Sequence, residues 1–167
     1  MDNPMSLEGR VIMITGAAQG IGRGVAKKAG ALGATLALVD LNSEGAQETA
    51  DMIDGNVTVY SGSVADPGFV QQTVATVIEK HGRINGLFNN AGIIRTAMIH
   101  NMSVADWQAV IDVNLTGVFH CLQAVGRHMI ERAKEGDDSP NRIVNVSSVA
   151  GRKGTIGQIN YGAAKSG

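Results

Sequence analysis

The sequence has little cysteine, little proline, almost no net charge and no long apolar run. A single cysteine in 167 residues excludes an internal disulfide framework and a cysteine-rich zinc cluster. Fourteen basic and fifteen acidic side chains leave a net charge of −1, whereas nucleic-acid-binding domains usually carry a basic excess. No run of about 18 apolar residues occurs, and the first ten residues show no secretory signal. We therefore expect a cytoplasmic globular protein with neither a nucleic-acid nor a membrane partner.

Short apolar runs alternate with amphipathic stretches along the chain. The apolar runs predict strands at 11–15, 35–39, 57–60, 86–89 and 143–146. Helical spacing predicts helices between them, at 43–53 with Ser43 as N-cap, at 67–81, at about 104–133 and from about 161. The first helix would bury a face made by Ile21, Val25, Ala29 and Leu32, and the long one a face made by Val118, Leu122, Val125 and Met129. Wholly apolar strands separated by helices indicate one three-layer, doubly wound α/β domain, with a parallel sheet of order 3-2-1-4-5.

The most distinctive local pattern is TGAAQGIG, from Thr15 to Gly22. Gly16 would allow a tight turn, while Gly20 and Gly22 would let the backbone approach a ligand and let the helix pack closely. The N–H groups at the start of a helix attract phosphate. The same letters could form a plain tight turn, but their position between a predicted strand and a predicted helix favours a dinucleotide pyrophosphate site.

Asp40 ends the second predicted strand, where an acidic residue can accept hydrogen bonds from an adenosine ribose. A carboxylate there would repel a 2′-phosphate, and no lysine or arginine stands among the next three residues. Asp40 therefore predicts NAD in preference to NADP. The alternative is that Asp40 only caps the helix that follows.

Six motifs stand in an order that resembles the short-chain dehydrogenase/reductase family, in its branch with G-x3-G-x-G spacing. They are TGAAQGIG, Asp40, NNAG (89–92), VNLTG (113–117), VNVSS (144–148) and YGAAK (161–165). The resemblance implies a Rossmann fold and hydride transfer between NAD(H) and a secondary alcohol or ketone. Ser63 departs from the pattern, since the family usually has an aspartate there that touches the adenine; we expect a small effect on affinity.

The resemblance also implies the functional residues. The catalytic set would be Asn114, Ser148, Tyr161 and Lys165. The cofactor would be held by residues that end or follow the first four predicted strands and by Tyr161 and Lys165. The full set is Gly16, Gln19, Gly20, Ile21, Gly22, Asp40, Leu41, Ser63, Val64, Asn90, Ala91, Gly92, Tyr161 and Lys165.

Tyr161 and Lys165 are four residues apart, which places them on one face of a helix. Such a pair is also common on any solvated helix. A free tyrosine loses its proton only near pH 10, and an ammonium about 4 Å away would favour the phenolate by about 4 kcal/mol at an effective dielectric of about 20. By the resemblance, Tyr161 exchanges the hydroxyl proton, Ser148 steadies the substrate oxygen, and Lys165 holds the nicotinamide ribose.

In the same family pattern, the backbone of Asn114 holds a water that links the lysine to solvent. An isolated asparagine in a helix can instead mark a local bend, and both interpretations can hold together. Residues 93–95 and 149–159 could wall a substrate pocket or form a surface loop. The four histidines, His81, His100, His120 and His128, show no metal-ligand spacing, and no metal site is predicted.

Gly167 follows Lys165 by two residues, whereas members of the family continue for two further strands and a lid. We therefore expect a C-terminally incomplete domain, with the fifth strand at an open edge, and we expect the 167 residues alone to be a poor catalyst prone to association. The intact enzyme would be a homo-oligomer acting on a small molecule. The alternatives are a non-catalytic nucleotide-binding protein and a sugar-nucleotide epimerase, the latter disfavoured by the glycine spacing.

Overall fold

The computed structural model describes residues 3–167 and contains a five-stranded parallel sheet. Its order, β3-β2-β1-β4-β5, confirms the predicted arrangement. Parallel pairing sets Thr15 beside Val39 and Asn89 beside Asn145, so these strands end at one edge of the sheet. The strands are β1 (Val11–Thr15), β2 (Thr35–Asp40), β3 (Val57–Ser61), β4 (Gly86–Asn89) and β5 (Arg142–Asn145).

Helices cover both faces of the sheet and complete the three layers. They are α1 (Gly20–Ala31), α2 (Ser43–Asp51), α3 (Pro67–His81), α4 (Val104–Ile111), α5 (Gly117–Lys134), α6 (Val149–Lys153) and α7 (Ile159–Ser166), with a π turn at Asp112–Thr116. Alternate residues of β1 enter two separate cores. Met13 packs in the cluster that includes α3 and α5, and Ile14 packs in the cluster that includes α1.

The buried face of α1 differs from the prediction. Gly22, Ala26, Ala29 and Gly30 are buried, whereas Ile21 is 63% exposed. A Cβ on Gly30 would lie 2.3 Å from Cγ2 of Ile53, so only small residues allow α1 to pack this closely. Of the predicted face, Ala29 is buried and Val25 packs half-buried against the core, whereas the prediction is wrong for Ile21, because the close contact is made by small residues.

Two further predictions about helices are wrong in detail. Asn42 rather than Ser43 caps α2, since its side chain accepts a hydrogen bond from the N–H of Gly45. The predicted long helix is interrupted by the π turn, whose added residue rotates the rest of the helix by about 100°. Within α5 itself, Cys121 faces the core with Val125 and Met129, while Leu122, which the prediction placed on the buried face, is 38% exposed.

The edge strand β5 is exposed along all four residues. The helical run Val104–Lys134, which includes the π turn, is long and apolar enough to cross a membrane by length and composition alone, contrary to the sequence expectation. In the structure this run packs on α3 and β4. Its residues Cys121, Val125 and Met129 belong to the core.

Candidate active site

The turn after β1 is shaped by glycine at position 16. Gly16 has φ of +68°, and a Cβ there would lie 2.8 Å from the Cα of Ala91. Its N–H donates to the carbonyl of Val39 at 2.8 Å, which ties the turn to β2. Both the backbone angle and the contact with Ala91 require glycine.

The start of α1 lies directly against this turn. A Cβ on Gly22 would come within 2.0 Å of the carbonyl oxygen of Gly16, so Gly22 serves close packing. Gln19 is the N-cap residue but makes no side-chain cap, and the first turn carries no acidic residue. The first N–H groups of α1 therefore have no side-chain partner at the positive end of the helix dipole, and such groups can bind an anion.

A brace from α2 holds the carbonyl side of the turn, and no pattern in the sequence indicated it. The buried Thr49 hydroxyl donates to the carbonyl of Ala17 at 2.9 Å. The Arg23 guanidinium donates to the carbonyl of Ala18 and pairs with Glu48 at 3.0 Å. Because hydrogen bonds from Thr49 and Arg23 hold the carbonyls of the turn, the shape of the turn is fixed without a ligand.

Asp40 does not cap α2, which removes the alternative interpretation of this residue. One carboxylate oxygen accepts the N–H of Ala18 at 2.9 Å, and the other accepts the N–H of Asn42 at 2.9 Å. The carboxylate is therefore fixed between the glycine-rich turn and the end of β2.

The segment after β4 closes the other side of the turn. The N–H groups of Asn90 and Ala91 donate to the Thr15 hydroxyl at 3.0 and 3.1 Å. The side-chain amide of Asn90 donates to the carbonyls of Thr15 and Gly16, both at 3.1 Å. Asn90 thus joins the ends of β1 and β4 and sets the distance between them.

These segments surround a cavity of about 440 Å³, a size typical of ligand sites. Of the predicted cofactor residues, those that line it are Gly16, Gln19, Gly20, Ile21, Asp40, Leu41, Ser63, Val64, Asn90, Ala91 and Gly92. Gly22, Tyr161 and Lys165 are not among the lining residues. The structure thus gathers eleven residues from four separate segments around one space, and it places the Tyr–Lys pair on α7, outside that lining.

Asn114 lies in the π turn and is 3% exposed. Its side-chain oxygen accepts the N–H of Ile93 at 2.8 Å, and its amide donates to the carbonyl of Ile93 at 2.9 Å. The helix forms a π turn at Asn114, and the side chain is occupied by hydrogen bonds to the segment after β4. The π turn and these two hydrogen bonds fix the backbone on which the predicted role depends.

Ser148 and Tyr161 lie on neighbouring segments after β5. Ser148 is the N-cap of α6, where its Oγ accepts the N–H of Ala150 at 3.2 Å, so its own hydrogen is free to be donated. Tyr161 is half-buried, and its hydroxyl has no hydrogen-bond partner within residues 3–167. Ser147 has a different task, since its hydroxyl donates to the carbonyl of Lys165 at 2.8 Å and holds α7 against β5.

Lys165 lies one turn beyond Tyr161, with its ammonium nitrogen 5.8 Å from the centre of the tyrosine ring. The ammonium donates to the carbonyl of Val146 at 2.7 Å. Burial lowers the pKa of Lys165, because the charged form loses hydration. The Tyr–Lys pair is therefore a half-buried arrangement tied to the end of β5 rather than a pair on a solvated helix.

Other candidate groups lie away from this site. A second cavity of about 380 Å³ lies between α3 and α5 and contains none of the predicted residues. Cys121 is buried in the core, and burial raises the pKa of its thiol to about 12. Among the described residues no cluster of histidine, cysteine and acidic side chains could hold a metal ion.

Comparisons with known proteins agree with this geometry. The 3-oxoacyl-[acyl-carrier-protein] reductase FabG of Thermotoga maritima is 42% identical over 166 residues, covering 98% of this chain and 65% of the relative. The D-threitol dehydrogenase of Mycolicibacterium smegmatis is 36% identical over 170 residues, covering 100% of this chain and 63% of the relative. The chain thus spans just under two thirds of the length of these curated relatives.

Solved structures show the same fold. The crystal structure of levodione reductase superimposes with a TM-score of 0.89 at 36% identity, over 96% of this chain and 62% of that one. A short chain dehydrogenase from Mycobacterium avium superimposes with a TM-score of 0.92 at 36% identity, over 96% of this chain and 60% of that one. The family model for short chain dehydrogenase matches residues 10–167. Together with the turn, the sheet and the Ser–Tyr–Lys arrangement, these matches establish that the chain belongs to the short-chain dehydrogenase/reductase family.

Proposed function

We propose that the protein is an NAD(H)-dependent oxidoreductase that interconverts a secondary alcohol and its ketone. One observation carries the proposal. The glycine-rich turn, Asp40, Asn90 and Ser148 all lie at or just after the carboxyl ends of parallel strands, at one edge of the sheet. Ligands of open α/β sheets bind at this edge.

The residues around the larger cavity fit a dinucleotide. The start of α1 offers backbone N–H groups for a pyrophosphate. Gly16 and Gly22 stand where a Cβ would clash with the backbone, so the turn carries no side chain at these positions that would block the pyrophosphate. The fixed carboxylate of Asp40 suits two ribose hydroxyls and opposes a 2′-phosphate, which supports NAD over NADP. When bound, the nicotinamide would supply the hydride acceptor or donor.

The remaining chemistry falls to side chains of this chain. Tyr161 would take the proton of the substrate hydroxyl in oxidation and return it in reduction. Ser148, whose Oγ already accepts from Ala150, would donate its hydrogen to the substrate oxygen as charge develops. Lys165 would hold the nicotinamide ribose, while Asn114 would keep its backbone in place for a proton path to solvent.

The relatives' names support the reaction class without fixing the substrate. They include a reductase of 3-oxoacyl carrier-protein thioesters and a dehydrogenase of D-threitol, which share a CH–OH or ketone centre and little else. A small-molecule alcohol or ketone is therefore the proposed substrate.

The first experiment titrates purified protein with NAD and NADP by calorimetry and then assays NAD-linked oxidation of a panel of secondary alcohols. Asp40→Asn removes the charge and keeps one acceptor oxygen, so the ratio of the Kd for NADP to the Kd for NAD should fall about tenfold or more, about 1.4 kcal/mol or more. Asp54→Asn, the same change at an exposed position, should leave the ratio unaltered. A ratio unmoved by Asp40→Asn would contradict the proposed NAD preference.

Non-catalytic nucleotide binding is the second candidate function. The cavity is lined only by residues between Gly16 and Val113, so nucleotide binding does not need α7. Binding of NAD without turnover of any alcohol or ketone in the panel would favour this candidate.

The cytoplasmic location of the protein stays a prediction. We also propose that the protein self-associates. The outward face of α5 exposes Phe119, Leu122 and Ile130. Exposed apolar patches on one helix are typical of protein–protein contacts. Light scattering at several concentrations tests this; a mass equal to one chain throughout would contradict it.

A further inference from the structure

Asn160 stands immediately before Tyr161 and is a completely buried polar residue, with 0% exposure. It belongs to the first turn of α7, where backbone N–H groups have no partner inside the helix. Gln158, the N-cap of α7, supplies no side-chain cap. The helix that carries the proposed proton-transfer group therefore begins without the usual support.

The Asn160 side chain supplies that support and extends it to other segments. Its oxygen accepts the N–H of Tyr161 at 2.8 Å. Its amide nitrogen donates to the carbonyl of Arg95 at 3.0 Å and to the carbonyl of Asp106 at 3.2 Å. One buried amide thus connects α7, the segment after β4 and the helix α4.

A second contact runs beside the first. The N–H of Ala97 donates to the carbonyl of Gly157 at 2.9 Å, so the segment after β4 is joined to the approach to α7 at two places. This segment begins with Asn90, Ala91 and Gly92, which line the cofactor cavity. The side-chain pair Arg95–Asp106 adds little, because its atoms are 3.9 Å apart and both side chains are about half exposed.

We infer that Asn160 is a positioning residue that sets the place of the Tyr161 hydroxyl relative to the cofactor cavity. The inference rests on the proposed function. Asn160 does not line the cavity, so it acts through Tyr161. A misplacement of about 1 Å can cost about 100-fold in rate. One hydrogen bond of Asn160 holds the N–H of Tyr161, and the other two tie Asn160 to the carbonyls of Arg95 and Asp106.

The decisive variant is Asn160→Asp, which keeps the size and the acceptor but replaces two donated hydrogens with a carboxylate facing two carbonyl oxygens. We expect kcat to fall about 10- to 100-fold, with the Kd for NAD within about twofold of the wild-type value. Asn56→Asp adds the same charge at an exposed position with no side-chain hydrogen bond, and should leave kcat unchanged.

A double mutant separates positioning from general loss of structure. If Asn160 acts through Tyr161, then Asn160→Asp added to Tyr161→Phe should lower kcat no further, because residues that act as a unit are not additive. Two effects that multiply in the double mutant would overturn the inference, as would an unchanged kcat in Asn160→Asp alone. Should Asn160→Asp fail to fold, Asn160→Ser undergoes the same tests.

A readout without turnover keeps the inference apart from the proposed function. The chain has two tyrosines, so ¹³C-labelled tyrosine gives one resonance for Tyr161 and one for Tyr60 as an internal reference. Asn160→Asp should move the Tyr161 resonance, leave that of Tyr60 in place and speed hydrogen exchange at the Tyr161 amide. Absence of NAD binding to the wild type would contradict the proposed function, while an unmoved Tyr161 resonance and an unchanged exchange rate at the Tyr161 amide would contradict the role of Asn160.

Discussion

Strands β1 and β2 are buried almost throughout, whereas β5, at the sheet edge, is exposed at every residue. The first pair leads into the glycine-rich turn and Asp40, and β5 leads into Ser148 and α7. The cofactor region, residues 11–64 and 86–93, therefore lies on the packed centre of the domain. The catalytic region, residues 142–167, lies at its margin.

The two regions share hydrogen bonds and close backbone packing but differ in the large apolar side chains that they bury. In the cofactor region, close backbone packing at Gly16 and Gly22 is supported by fully buried side chains such as Ile14 and Leu38. In the catalytic region, α6 packs closely on α7, since a Cβ on Gly151 would lie 2.7 Å from the backbone of Lys165. Polar contacts from Ser147, Asn160 and Lys165 also hold α7, but the buried apolar side chains are small alanines. Burying one aliphatic side chain contributes about 1.5–3 kcal/mol, and a hydrogen bond contributes about 0.5–1.5 kcal/mol net. The catalytic region is therefore the easier one to displace.

The largest expected effect is a loss of kcat in the catalytic region that leaves cofactor binding almost unchanged. Tyr161→Phe removes the hydroxyl and nothing else, so we expect kcat to fall by a factor of about 10²–10⁴, while the Kd for NAD stays within about threefold. Steady-state kinetics and calorimetry on the same preparation measure both. Turnover that survived the change would show that the proton is carried by another group.

A smaller effect tests packing in the cofactor region. Gly22→Ala places a methyl group against the carbonyl of Gly16, so we expect the free energy of unfolding to fall by about 1–3 kcal/mol and NAD binding to weaken.

Gly24→Ala is the matched control, two residues along the same helix, because a Cβ at Gly24 meets nothing within 4 Å. It should raise the free energy of unfolding by about 0.5–1 kcal/mol. Urea denaturation compares the pair, and equal effects of the two changes would refute the close contact between α1 and the turn.

The smallest effect concerns acid. Burial lowers the pKa of His128, and the positive charge of Arg132 lowers it further, whereas the negative charges of Glu131 and Glu135 raise it. The Nε2 atom of His128 accepts the N–H of Ile84 at 3.3 Å. The unfolded chain then binds the proton more readily, so the free energy of unfolding should decrease as pH falls through about 6.5.

His128→Gln should reduce that decrease, whereas His100→Gln, at an exposed position, should leave it as it is. Burial also lowers the pKa of His81, so part of the acid sensitivity should remain in His128→Gln. Urea denaturation at pH 7 and pH 5 measures the differences, and an identical pH dependence in both variants would contradict the role of His128.

The central strands β1 and β2 could be predicted because strands buried on both faces are apolar throughout, and β3 and β5 could be predicted from their short apolar runs although β5 is exposed. The glycine-rich turn and Asp40 could be placed because neighbours in sequence form them. The brace from Thr49 and the contacts of Asn160 could not, since they join residues 32 and 65 positions apart. The π turn at Asn114 was also missed, because the spacing of apolar residues does not reveal a single added residue.

The position of Cys121 has a practical consequence. With a thiol pKa of about 12 and no exposed surface, the native sulfur presents almost no thiolate to an alkylating dye at neutral pH. A cysteine introduced at a solvent-facing site on α7 would thus carry a fluorophore alone. Emission from that dye would report when the margin of the domain loosens while the centre stays intact.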